Sequence, residues 1–333
     1  MAYGNGSQEF VWGSELEGHG VMSTFDTIVG ISIWMLASLA VVIGIINLCV
    51  IKKLTIFHNS FGAFWVSRTI GELGSNIVHV VYSAPTTVFQ PKNIPPTFGI
   101  TIFMIGYFFA AESCIMHQFV SANRMLAVCA PLKYNSMFNR KVTRNCIIFA
   151  WTAVSILMSL YILIPCQIIG YSPKYYEYVY IRCDGSDQDS SFIGSIINRG
   201  CTAMCTVSLI NDCVTFGRII QIKLTRSKDA QDEHFRRNVR FFAQTAVQNV
   251  TMMGTLAIIS IVNNRNSGQT GWNIAAFESV ILTHVNNGLA LILFNPEVRR
   301  LFIGKTKSEN STAVEQIAVD QTTIGMVPDD NVQ

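Results

Sequence analysis

Charge is what this 333-residue sequence has least of. Asp, Glu, Lys and Arg make up 14% of it, where soluble domains carry about a quarter. Hydrophobic residues reach 50% and come in blocks, which excludes an ordinary soluble domain and points to a membrane protein. The net charge of +3 does not argue for nucleic acid, because the basic residues are scattered over short loops rather than gathered on one face. Residues 1–26 contain no Lys or Arg; they are polar, Gly-rich and carry Glu9, Glu15, Glu17 and Asp26. A secretory signal peptide needs a basic start and a small-residue cleavage site, so this end reads as an extracellular segment over residues 1–26. Neither a Gly-rich phosphate loop nor a nucleophile elbow occurs in a usable context, so catalysis and a cofactor are not expected.

Long apolar runs are abundant. Seven are long enough to cross a bilayer: Thr27 to Ile51, Phe61 to Val88, Phe98 to Val120, Cys146 to Ile169, Phe192 to Ile222, Phe241 to Val262 and Trp272 to Phe294. The second and fifth contain polar interruptions. Basic residues cluster in alternate loops: Lys52 and Lys53; Lys133, Arg140, Lys141 and Arg144; Lys223 to Arg240; and Arg299, Arg300, Lys305 and Lys307. The other loops hold only Lys92, Lys174, Arg182 and Arg265. By the positive-inside rule the N-terminus is expected outside and the C-terminus inside. The expected fold is an all-α membrane protein, a seven-helix bundle over residues 27–302, followed by a cytoplasmic, disordered tail over 303–333. Glu297 to Gly304, with Leu301 and Phe302 opposite Arg299, Arg300 and Lys305, reads as a short amphipathic helix on the inner leaflet.

Between the third and fourth runs lies Ser121 to Phe138, SANRMLAVCAPLKYNSMF, read as a membrane-edge loop in which Arg124 closes a helix and Pro131 ends its apolar face. Its Asn-Arg-x-x-Ala-Val-x-x-Pro-Leu-x-Tyr pattern resembles the end of the third helix and second inner loop of rhodopsin-like G-protein-coupled receptors. The match rests on Arg124, Ala127, Pro131, Leu132 and Tyr134; Asn123 stands where that family has Asp, and Met125 where it has Tyr. Asn47-Leu48-Cys49-Val50, Trp151 and Asn295-Pro296 are similar to further marks of the superfamily, whereas its Pro in spans five and six and its Asp in span two are missing. Asn59-Ser60-Phe61-Gly62, the Asn-Arg form of the loop, and Phe294 to Arg299 together look like the nematode serpentine receptor class X.

That resemblance implies a chemosensory receptor at the plasma membrane, of the kind found in sensory-neuron cilia. It implies an external small molecule or peptide as ligand and a heterotrimeric G protein as partner. Carried over residue by residue, it gives Arg124, Asn123, Pro131 and Tyr134 roles in G-protein coupling, and Asn47, Trp151, Asn295 and Pro296 structural ones. Without the family's Asp, Glu233 is a candidate to hold Arg124 in the resting state. The rival reading, a ligand-gated channel or transporter-like protein, is opposed by the lack of an inverted repeat, a ring of like charges or a Gly-broken filter.

A charge inside a span must be paired or turned inward. Arg68 and Glu72, four apart on one helical face, are expected to pair internally rather than bind a ligand. Glu112 has no partner on its own helix and needs one across the bundle, such as Arg199 or the Arg68 pair; Asp212 is a similar case, and Glu278 is expected to be wet. Tyr107, Glu112, Asn249 and His284 are candidate ligand-binding residues because polar groups at that depth need a reason; interhelical hydrogen bonds explain them as well. Every Lys (Lys52, Lys53, Lys92, Lys133, Lys141, Lys174, Lys223, Lys228, Lys305 and Lys307) falls in a loop or tail, which excludes a retinal-type Schiff base. A seven-span metallohydrolase would need His and carboxylate ligands at one depth, but His79 and His117 fall on opposite sides of the midplane, so no metal site is expected. Most of the nine cysteines act as small apolar residues. Cys183, in an outer loop, is left to pair with Cys166 or Cys201 or to stay free. Asn5-Gly6-Ser7 matches a glycosylation acceptor, with a chance match as the alternative.

Overall fold

The computed structural model describes residues 11–164, 166–183, 191–225, 232–263 and 270–302. The Asn5 acceptor, the Glu233 side chain and the tail from residue 303 onward lie outside the described residues.

Helices make up most of the described residues. In order they are α1 (Thr24–Lys53), α2 (Ser60–Val78), α3 (Ala84–Phe89), α4 (Pro96–Cys129), α5 (Pro131–Met137), α6 (Arg140–Leu163), α7 (Phe192–Thr225), α8 (Asp232–Asn263), α9 (Thr270–Phe294) and α10 (Pro296–Phe302). A hairpin of β1 (Ile169–Ser172) and β2 (Glu177–Tyr180) lies between α6 and α7. Six helices, α1, α4, α6, α7, α8 and α9, are long and apolar enough to cross a membrane. On α1, Ile28, Ile31, Met35, Leu39, Val42 and Ile45 are exposed while Val29, Ile33, Ala37 and Ala40 are buried. A helix apolar on both its inner and its outer face suits a lipid surround, and the chain is a multi-pass membrane protein.

The expected second span, Phe61 to Val88, is built in pieces. The α2 helix passes through a π-turn at His79–Ser83 into α3, with the Ala84 N–H reaching back five residues to the His79 carbonyl. Pro85 follows at the start of α3; it has no N–H to donate, and its ring crowds the preceding turn, which a widened turn accommodates. Buried Arg68 and Glu72 lower the apolarity of this rod, so it is not among the six.

Glycines set how closely helices approach. A Cβ on Gly71 would stand 2.7 Å from the Phe109 carbonyl and 3.0 Å from the Ser113 nitrogen, and one on Gly74 would enter the Phe109 ring. Hence α2 and α4 cross backbone to backbone.

The stretch expected to be a loop after Arg124 is mostly helix. The α4 helix runs on to Cys129, Ala130 breaks it at φ −137°, and Pro131 opens α5 at a position where its missing N–H is not needed. Asn59, Asn139 and Asn295 supply side-chain oxygens to the starts of α2, α6 and α10.

The residues before α1 are not a loose polar lead. Leu16 is fully buried against the positions of Gly99 and Gly170, and the amides of Gly18 and Gly20 donate to the carbonyls of Pro91 and Gln90. Ser23 and Asp26 form a capping box that starts α1 at Thr24, three residues before the expected span. The Asp26 carboxylate also accepts from Gln90 Nε2 and Tyr176 Oη. One carboxylate therefore ties α1, the end of α3 and the hairpin turn together. A Cys166–Cys183 disulfide closes the base of the hairpin, choosing one of the three expected states of Cys183.

Candidate functional site

Below this hairpin cap the bundle encloses a cavity of about 200 Å³. Aromatic side chains shape it: Tyr107 meets Tyr161 edge to face at 5.9 Å, and Phe277 packs on Tyr171 at 4.9 Å and on the His79 ring at 5.0 Å. Tyr178 and Tyr180 of β2 close the hairpin side, while Met252, Leu256 and Ile259 of α8 form the far wall. The π-turn gives His79 its place in the lining, and its Nδ1 lies 3.2 Å from Ser83 Oγ.

Of the four ligand-binding candidates, Tyr107 and His284 line the cavity and Glu112 and Asn249 do not. Glu112, fully buried, accepts from Ser67 Oγ at 2.6 Å, and Ser67 in turn accepts from Trp151 Nε1 at 3.0 Å. Its expected partners Arg199 and Arg68 make no hydrogen bond to it among the described residues; the nearer hydroxyl of Ser67 meets it instead. Asn249 bonds His117 Nε2 and donates to Asp212 Oδ2, joining α4, α7 and α8. Glu278 is not simply wet: Ser32 of α1 donates to it. These groups are interhelical ties.

A polar layer follows beneath the cavity. Arg68 Nε donates to Glu72 Oε1 at 3.0 Å, as the i, i+4 spacing predicts, and both residues are buried. Glu72 Oε1 also accepts from Asn287 Nδ2 at 2.8 Å, and Gln248 Nε2 donates to the Asn287 carbonyl at 3.1 Å. Asn47 Nδ2 reaches the Gly288 carbonyl at 3.2 Å. Asn76, one turn above Glu72, donates from its amide nitrogen to the Glu72 carbonyl at 2.6 Å and to His284 Nδ1 at 2.9 Å. The layer thus touches the cavity through His284.

It touches the other end of the bundle through Trp65. The Arg68 guanidinium lies 5.2 Å from the Trp65 ring, and the Arg124 guanidinium lies 5.8 Å from that ring and 4.8 Å from Phe61. Arg124 also donates to Thr245 Oγ1 of α8. Asn123 Nδ2 is 3.1 Å from Tyr134 Oη, and Tyr134 packs on Phe138, which packs on Phe64. Ser60 Oγ donates to the Phe138 carbonyl and accepts from Thr143 Oγ1. Pro131 and Tyr134 are thus parts of one short helix held across this end, from which Leu132 projects at 98% exposure. Asn295 and Pro296 make the joint between α9 and α10, whose Val298 is fully buried.

Several site residues were missed by sequence reasoning. Asn76 and Ser67 sit in the polar interruption of the second span, a signal that marks the segment without separating pocket from scaffold. Tyr161, Tyr178 and Thr245 carry no local signal, because the contacts that give them meaning are with distant segments.

Outside the spans, burial beside the hairpin raises the Glu177 carboxyl to about 7, where Asn273 Nδ2 donates to it at 2.7 Å. Burial, then the hydrogen bond to Asp26, raises the Tyr176 hydroxyl, so it stays protonated as the donor to Asp26.

Comparison with known proteins adds a family. A sequence model of the family described as serpentine type 7TM GPCR chemoreceptor Srx matches residues 34–295, from within α1 to the joint after α9. Comparison with curated proteins gives no match.

Proposed function

This chain belongs to the serpentine type 7TM GPCR chemoreceptor Srx family, and on that premise we propose that it binds an external small molecule in the cavity and activates a heterotrimeric G protein. In this reading α2, the π-turn and α3 form the seventh crossing. The hairpin and the segment before α1 face outward, and the basic loops face the cytosol. The site is at the plasma membrane, with the sensory cilium as the location proposed from the class. A small molecule is favoured over a peptide because the cavity is roofed by β2 and tied down through Asp26.

The observation that carries the proposal is the chain of contacts from His284 through Asn76, Glu72, Arg68 and Trp65 to Arg124. A ligand that repacks the cavity wall has a physical path to the residue at the cytosolic end. There, the coupling surface is Arg124 with the Asn123–Tyr134 pair, Pro131, and the exposed Leu132, an apolar side chain positioned for a protein partner. Asn47, Arg68, Glu72, Trp151, Asn295 and Pro296 hold the scaffold.

The test is G-protein signalling in cells expressing the wild type beside Arg124→Ala and Leu132→Ala at equal surface level. Signal in the wild type, ligand-independent or stimulated by a panel of volatile and secreted compounds, that falls at least tenfold in Arg124→Ala supports the proposal. Signal that survives Arg124→Ala, or an ionic current without G protein, sinks it.

A further inference from the structure

None of the residues lining the cavity is Asp, Glu, Lys or Arg among the described residues. An ion entering it would leave its hydration shell and find no counter-charge, so the cavity rejects charged molecules. Its walls are mostly apolar and aromatic, with Phe103, Phe277, Val280, Met252, Leu256 and Ile259 prominent. Such walls take an apolar body.

One polar group in that wall has its proton placed by its neighbours. Asn76 presents a single amide atom both to the Glu72 carbonyl, at 2.6 Å, and to His284 Nδ1, at 2.9 Å. A backbone carbonyl only accepts, so that atom is the amide nitrogen. His284 Nδ1 must then accept, which leaves the ring neutral with its one proton on Nε2. Among the described residues no protein group accepts from Nε2. His284 is therefore a neutral, pre-oriented donor in an apolar wall. The second histidine of the lining, His79, is not fixed in this way, because its partner Ser83 Oγ both donates and accepts.

We infer that the cavity takes an uncharged, predominantly apolar molecule with one hydrogen-bond acceptor, a carbonyl or ether oxygen received by the His284 Nε2–H. This rests on the reading that the cavity is the ligand site. A volume of about 200 Å³, against the ~10–15 Å³ that one water needs, has room for a small organic molecule. Discrimination comes from His284: a ligand without an acceptor leaves the buried donor unpaired.

The experiment uses the purified full chain in lipid nanodiscs and four matched probes: methyl pentyl ketone, heptane, heptanoate and heptylammonium. The readout is the ligand-induced rise in melting temperature, which follows mass action. Ile259→Trp, which fills the cavity, serves as the reference for partitioning into lipid. The ketone is expected to raise the wild-type melting temperature more than heptane does, with both ions matching the Ile259→Trp reference. In His284→Phe the ketone is expected to fall to the level of heptane, while Ser159→Ala, at an exposed position of α6 outside the cavity lining, keeps the preference. A larger rise with heptanoate or heptylammonium, no advantage of ketone over heptane in the wild type, or a folded His284→Phe that keeps the full ketone preference would overturn the inference. The four-probe comparison in the wild type stands even if His284→Phe misfolds. A chain that binds the ketone but never signals counts against the receptor proposal and leaves this inference intact; signalling to charged compounds alone counts against this inference only.

Discussion

Asn123 and Tyr134 meet across the turn between α4 and α5, with Asn123 Nδ2 3.1 Å from Tyr134 Oη. The contact is neutral and lies beside Arg124, whose guanidinium turns away toward Thr245, Phe61 and Trp65. A hydroxyl and two rings therefore help to hold the arginine, and the residue before it is spent on positioning α5.

Tyr134→Phe leaves the buried Asn123 amide without its partner, at a cost of about 1–3 kcal/mol. A melting-temperature drop of several degrees is expected. Thr245→Val removes the hydroxyl that accepts from Arg124 and is expected to raise ligand-independent signalling severalfold at equal surface level. An unchanged melting temperature in the first, or unchanged basal signalling in the second, would count against these roles.

Gly71→Ala tests the α2–α4 crossing. Its Cβ would stand 2.7 Å from a backbone carbonyl, which cannot swing aside as a side chain can. Overpacking of this kind costs about 1–3 kcal/mol. Size-exclusion chromatography of a fluorescent fusion should show a reduced monodisperse peak, whereas Gly217→Ala, whose Cβ would meet nothing within 4 Å, should match the wild type.

The hairpin cap is stapled twice. Losing the Cys166–Cys183 bond, with its sequence separation of 17 residues, removes a constraint worth about 3 kcal/mol for a loop near that length. Both Cys166→Ser and Cys183→Ser are expected to lower the melting temperature by similar amounts, and Asp26→Asn to speed amide exchange over 11–23 and 169–180. Cys213→Ser, at an exposed free cysteine, should do neither.

The cap should also respond to pH through Glu177. Its carboxyl is raised from 4.5 to about 7 by burial, so between those values the unfolded chain has released a proton that the folded chain keeps. Stability conferred by the protonated form is complete below about 4.5, declines as pH rises, and is lost above about 7. Glu177→Gln should flatten that decline in a plot of melting temperature against pH. A wild-type curve that rises over this window, or a decline unaltered by Glu177→Gln, would refute the assignment.

Much of this was legible in the sequence because it is local. Apolar length marks seven runs without reference to any partner, six of them helices long and apolar enough to cross; the i, i+4 spacing of Arg68 and Glu72 brings them together within one helix, and Asn295-Pro296 starts a helix by its own chemistry. Tyr107 and His284 are marked as candidates by being polar inside a span, and both line the cavity. Glu112 and Asn249 are candidates on the same ground, with interhelical hydrogen bonds as the equal alternative, because depth is legible in the sequence and facing is not. On a helix apolar all round, hydropathy does not distinguish the side that meets lipid from the side that meets a neighbour.

What only the tertiary structure decided is long-range. The segment before α1 docks through Leu16 into space left by Gly99 and Gly170, and Asp26 gathers Gln90 and Tyr176 from 64 and 150 residues away. Cys183 finds Cys166 rather than Cys201, because the hairpin brings their Cα atoms to 5.4 Å. The proton on His284 is placed by Asn76, 208 residues earlier. Helix formation depends on neighbours three and four residues away, so it is written in the chain. Partner choice depends on which helical faces meet once the bundle closes, and that is a property of the packed whole.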